Sequence, residues 1–142
     1  MSMVAKLLIG FAAALLAGWL GHGPLGRGGQ FIDSLQAGAE TKLREAALPG
    51  VTVSFPRDPL ARTAILSGPA NDFQRNGLGG LPGLTQRVAE VPGIAGVRWA
   101  DEGEGSDGLP LLAETLAMVA LAFLLGLGLG RVFFRPKRTS FL

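Results

Sequence analysis

The chain has 142 residues, a formal net charge of +2, a single histidine and no cysteine. That excludes a disulfide framework, a thiolate nucleophile and a cysteine-type zinc site, and within one chain a Ser-His-Asp relay beside a multi-histidine metal site is out of reach. Its mean hydropathy of +0.36 comes from the two ends, so the middle can hold at most one small domain. Gly21 to Pro110 carries eight Arg/Lys against ten Asp/Glu, so the excess positive charge lies outside it and nucleic acid is not an expected partner.

Residues 1–6 form a short basic leader, and Leu7 to Leu20 is an apolar run of fourteen residues. That length suits a signal-peptide core as well as a spanning helix. Three features favour an uncleaved anchor over 4–20: Lys6 can snorkel and extend the span, Trp19 sits where an interfacial aromatic belongs, and no small-x-small cleavage pattern follows. Residues 21–30, GHGPLGRGGQ, read as a flexible glycine-rich linker. His22 within it is expected to be an interfacial residue, the sharper alternative being a ligand to a pigment or metal at the membrane surface.

Phe31 to Ala47 has the apolar spacing of an amphipathic helix, with Asp33 or Ser34 as its cap and Pro49-Gly50 as its stop. Val51 to Phe55 alternates with period two, and Thr63 to Ser67 is a second extended run; together they predict a hairpin with a longer tip. Asn71 to Gly83 reads as loop, Leu84 to Val91 as a short helix, and Ile94 to Trp99 as a third strand. Arg57 and Arg62 flank the tip and Arg75 lies on the next loop. They are either a small basic cluster for lipid phosphates or an acidic partner, or ordinary solubilising charges. Residues 100–108, with Asp101, Glu102, Glu104 and Asp107, lack the spacing of an EF-hand loop and read as a flexible acidic linker.

Leu109 to Gly130 is about as long as the ~20 apolar residues that cross a bilayer, and only Glu114, near its start, is ionisable. An acid there is expected at the interface, or else in contact with His22 or a partner subunit. Gly126, Gly128 and Gly130 alternate within this apolar run, which is no place for a phosphate loop. Gly10, Ala14 and Gly18 in the first span, and Ala122, Gly126 and Gly130 in the second, recur every four residues and predict smooth packing stripes. The tail 131–142 carries Arg131, Arg135, Lys137 and Arg138 among phenylalanines, a mixture that anchors to anionic headgroups. With Lys6 and this tail basic, and the stretch before the second span acidic, the positive-inside rule puts both termini in the cytoplasm and residues 31–99 outside the inner membrane.

The order helix, strand, strand, helix, strand resembles a BON domain, an α/β module of exported bacterial proteins. The resemblance rests on Val51-Thr52-Val53, on Ile65-Leu66-Ser67-Gly68, and on Val88-Ala89-Glu90-Val91-Pro92-Gly93-Ile94-Ala95-Gly96-Val97. It covers about Phe31 to Trp99; the tip Pro56 to Arg62 and the loop Pro69 to Gly83 are longer than the family's. The segment also looks like the region ahead of the peptidoglycan-binding domain in some OmpA-family proteins, but a span replaces that domain here, so cell-wall binding does not carry over. The resemblance implies binding to phospholipid or protein rather than chemistry, with no cofactor and no catalytic residue. The expected fold is a two-helix transmembrane hairpin enclosing a small α+β domain. Two functions fit it: a non-enzymatic envelope scaffold, or an accessory subunit docking on a larger complex, or on further copies of itself, through its helices.

Overall fold

The computed structural model describes residues 2–103 and 108–133. Two long apolar helices, α1 (Met3–His22) and α5 (Leu111–Phe133), flank a small α/β region, and both are long and apolar enough to cross a membrane. Between them come α2 (Arg27–Ala46), β1 (Thr52–Ser54), β2 (Thr63–Ser67), α3 (Asp72–Asn76), β3 (Gly77–Leu78), β4 (Leu81–Pro82), α4 (Leu84–Ala89) and β5 (Gly96–Trp99). The expected helix-strand-strand-helix-strand order is present. Glu104, Asp107, Arg135, Lys137 and Arg138 lie outside the described residues.

β2 is the central strand of a three-stranded sheet, antiparallel to β1 and parallel to β5. The hairpin is as expected, with Val53 opposite Leu66. The parallel partner requires a crossover, which α3 and α4 supply. A sheet this small is marginal alone and needs a helix over its apolar face. Ile32, Leu35, Ala39 and Leu43 recur along one side of α2 and meet Val53, Ala64, Leu66, Leu84, Val88 and Trp99 in the core. Each fully buried aliphatic contributes about 1.5–3 kcal/mol. Trp99 is buried among them, and its indole N–H donates to Thr85 at 3.1 Å.

Three segments differ from expectation. The stretch 21–30 is not an irregular linker: α1 continues to His22, α2 begins at Arg27, and residues 23–26 make a tight corner. There Gly23 N–H donates to Trp19 O at 3.0 Å, Leu25 N–H to Leu20 O at 3.0 Å and Gly26 N–H to Gly23 O at 2.8 Å. Gly26 takes a left-handed φ of 69° and is the N-cap of α2. Asp33 and Ser34 therefore lie inside the helix rather than at its start. Gly28 and Gly29 each disfavour a helix by about 1 kcal/mol; Gly28 is nonetheless helical because it packs flat against the His22 ring.

The expected loop Asn71 to Gly83 contains α3 and the β3–β4 ribbon. Asn71 accepts from Gln74 N–H at 2.9 Å while its own N–H donates to the Gln74 side chain at 2.9 Å, a reciprocal capping box. Gly79 and Gly80, with φ of 59° and 90°, form the two-residue turn of the ribbon. The acidic linker is ordered at its start, where Ala100–Glu102 is a 3₁₀ turn.

Candidate functional site

The long helices pack on each other through α1's small residues. A Cβ at Gly10 would sit 3.5 Å from the Phe123 ring, and one at Gly18 would sit 3.3 Å from Val119 and 3.5 Å from Leu116. The Phe11 and Phe123 rings meet at 5.4 Å and 53°. Ala14 lies half-buried on the same side of α1. The matching stripe on α5 is not used in this way: Ala122 is exposed, and nothing lies within 4 Å of where a Cβ would stand at Gly126 or Gly130. Bulky Leu116, Val119 and Phe123 fill the space left by α1's glycines, so small faces large rather than small facing small.

The domain is fastened to α5. Arg62, just ahead of β2, donates from Nε to Glu114 Oε2 at 2.7 Å and from Nη1 to Gly93 O at 2.9 Å. The two side chains are only 29% and 23% exposed. One residue pair further, Leu111 N–H donates to Leu60 O at 2.8 Å, and the Leu111 side chain is buried in the domain core. Of the contacts expected for Glu114, His22 is not its partner: the half-buried carboxylate is bound by Arg62 and sits in the first turn of α5, where the helix dipole also favours it. The hydrogen bond to Glu114 raises the Arg62 pKa, with burial acting the other way, so the guanidinium stays charged.

Arg57, Arg62 and Arg75 do not form a shared basic cluster, because each is committed to a different carboxylate. Arg57 pairs with Asp33 of α2 at 2.7 Å. Arg75 makes a bidentate pair with Asp101 at 2.8 and 2.7 Å, lies 4.2 Å over the Trp99 ring, and donates to Ala70 O at 3.0 Å. Asp101 is thus a clamp on α3, not linker, and Arg75 holds its carboxyl below the usual range.

His22 lies at the α1–α2 corner. A Cβ at Gly28 would approach its ring at 2.8 Å and its carbonyl oxygen at 2.9 Å, so the glycine is what lets the corner close. Beside it is a cavity of about 410 Å³ between α1, α2 and α5, lined by Ala17, Gly18, Gly21, His22, Arg27, Gly28, Phe31, Leu111 and Thr115. Among the described residues no group of three or more His, Asp or Glu is placed to hold a metal ion.

A second surface lies at the other end of α2, about 30 Å along a helix of this length. A groove of about 750 Å³ runs between the end of α2 and the edge strand β1, lined by Leu43, Arg44, Ala47, Leu48, Pro49 and Val51 to Val53. Next to it, Phe73, Leu78 and Leu81 are 51%, 71% and 64% exposed around the ribbon and a further cavity that shares Leu48. Sequence reasoning passed over this tip, although Leu-Gly-Gly-Leu is a short hairpin signal.

Fold and sites together define a small α/β domain fastened between two long apolar helices. No protein family, curated protein or solved structure matches the chain.

Proposed function

We propose that the chain is a bacterial inner-membrane scaffold in which α1 and α5 span the bilayer, both termini are cytoplasmic, and a BON-like domain stands on the periplasmic side to bind rather than to catalyse. The observation that carries this is the Arg62–Glu114 pair with Leu111 in the domain core. A domain fastened at the first turn of a spanning helix presents its far surface at a set height and orientation, which suits a docking platform. That far surface is the β1 groove with the apolar ribbon tip, where exposed Phe73, Leu78 and Leu81 favour a protein partner. Arg131 at the other end of α5 is exposed at the cytoplasmic headgroups in this arrangement.

A second reading, an accessory subunit docking through its helices, is favoured by Gly126, Gly128 and Gly130, beside which no atom of another helix comes within 4 Å of a Cβ position. One experiment separates the two. The tagged chain is extracted in mild detergent and sized, and whatever co-migrates is identified by mass spectrometry, with Leu78→Ser/Leu81→Ser and Gly128→Leu variants alongside. A stoichiometric partner lost only from the ribbon variant supports the scaffold; one lost only from Gly128→Leu supports the subunit. A chain that migrates alone in every form overturns the docking reading.

A further inference from the structure

We propose that the cavity at the α1–α2–α5 corner is a binding site for an anionic phospholipid, taken from the leaflet on the domain's side of the bilayer. The proposal rests on the membrane reading above and adds to it a defined site and ligand class.

Three observations place it there. The floor is apolar and wide enough, at about 410 Å³, for a substantial part of an amphiphile. Phe31, Leu111 and the glycine face of α1 supply that floor, and at Gly21 nothing lies within 4 Å of a Cβ position. The cavity also opens at the top of the spanning pair: Gly18 lines it, and just below, the seam is closed where Gly18 packs against Val119 and Leu116. A lipid head can therefore sit at the corner while its tail runs down the outer face of the helix pair. Lastly, the rim is cationic. Arg27 is exposed at the rim with no ion pair or hydrogen bond to another described side chain, whereas Arg57, Arg62 and Arg75 are all paired with carboxylates. The first turn of α2 contains no acid, and no acidic residue lines the cavity. Glu114, the nearest acid along α5, is neutralised by Arg62 on the domain side. His22 and Trp19 lie at the same level of α1, where headgroup phosphates of the bilayer are found. A phosphodiester carrying net negative charge completes this rim; a zwitterionic head brings a second cation beside Arg27.

The test uses the full chain in detergent micelles doped with equal amounts of phosphatidylglycerol and phosphatidylcholine, with retained lipid measured by native mass spectrometry. The wild type is expected to retain phosphatidylglycerol preferentially. Arg27→Gln is expected to lower that preference about fivefold, the effect of one basic residue near an anionic headgroup. Gly21→Leu, whose side chain enters open space, is expected to abolish retention of both lipids at unchanged helix content. Lys42→Gln, which removes an equal charge elsewhere on α2, is expected to change nothing. Equal losses in Arg27→Gln and Lys42→Gln, or full retention in Gly21→Leu, overturn the site. Release of the chain from native membranes by carbonate without detergent overturns the membrane reading and the site with it; a wild-type chain that stays in membranes yet retains the two lipids equally overturns the site alone.

Discussion

Removing either partner of the Arg62–Glu114 pair should uncouple the domain from α5 without unfolding the sheet. The pair is a charge-assisted hydrogen bond of 2.7 Å between side chains less than one third exposed. Such bonds contribute about 1.5–3 kcal/mol when well shielded, and residual solvent screening brings this one to roughly 1–2 kcal/mol. Arg62→Ala should be the more damaging change, because it also strands the Gly93 carbonyl that Arg62 Nη1 reaches at 2.9 Å. Glu114→Ala leaves Arg62 one acceptor and should perturb less. The assay is a double-mutant cycle on the full chain, reading amide exchange at Leu111, whose N–H donates to Leu60 O, against exchange in the centre of β2. Both single variants and the double should raise exchange at Leu111 while leaving Ala64 and Leu66 protected, and the coupling should exceed about 0.5 kcal/mol. Additive single effects, or unchanged protection of Leu111, would refute the claim that this pair fastens the domain.

Leu66 is fully buried on the central strand, so Leu66→Ala should destabilise the domain by about 2–5 kcal/mol in denaturant unfolding. Ile65→Ala, on the half-exposed face, should cost clearly less, and equal losses would contradict the assignment of faces. Gly28→Ala should open the α1–α2 corner, since its methyl meets the His22 ring and carbonyl below 3.0 Å; a loss of about 1–3 kcal/mol in thermal unfolding is expected, and a neutral result would show that the corner yields. Asp101 is held below the ordinary carboxylate range by its bond to Arg75. Its contribution to stability is therefore complete above the unfolded-state value of about pH 4 and is lost as pH falls through the lower folded value. Asp101→Asn should flatten the unfolding midpoint between pH 5 and pH 2 (both about the carboxylate range); an unaltered acid slope would count against the clamp.

Much of the fold was legible because its signals are local. Val51 to Phe55 alternates as strands do, Thr63 to Ser67 is a short apolar run ended by Gly68-Pro69, and Leu84 to Val91 has the length and stop of a short helix. α3 was legible in principle, since Asn71-x-x-Gln74 is a capping-box pattern, but the surrounding glycines masked it. The start of α2 was not, because Gly28 and Gly29 argue against a helix unless the His22 ring is known to lie against Gly28. The candidate sites were less readable still. Arg57, Arg62 and Arg75 look alike in sequence, and only their partners distinguish a surface pair on α2, a fastening on α5 and a clamp over Trp99.

By itself, then, the sequence determined the two apolar helices, the small domain between them and the residue types available for binding, because run length, alternation and composition act over a few neighbouring residues. Tertiary structure alone decided that β5 lies parallel to β2, that bulky residues of α5 fill the glycine face of α1, and that Arg62 reaches Glu114 across 52 positions of chain. Those contacts join residues far apart in sequence, and which charge meets which is set by how the packed core brings their backbones together.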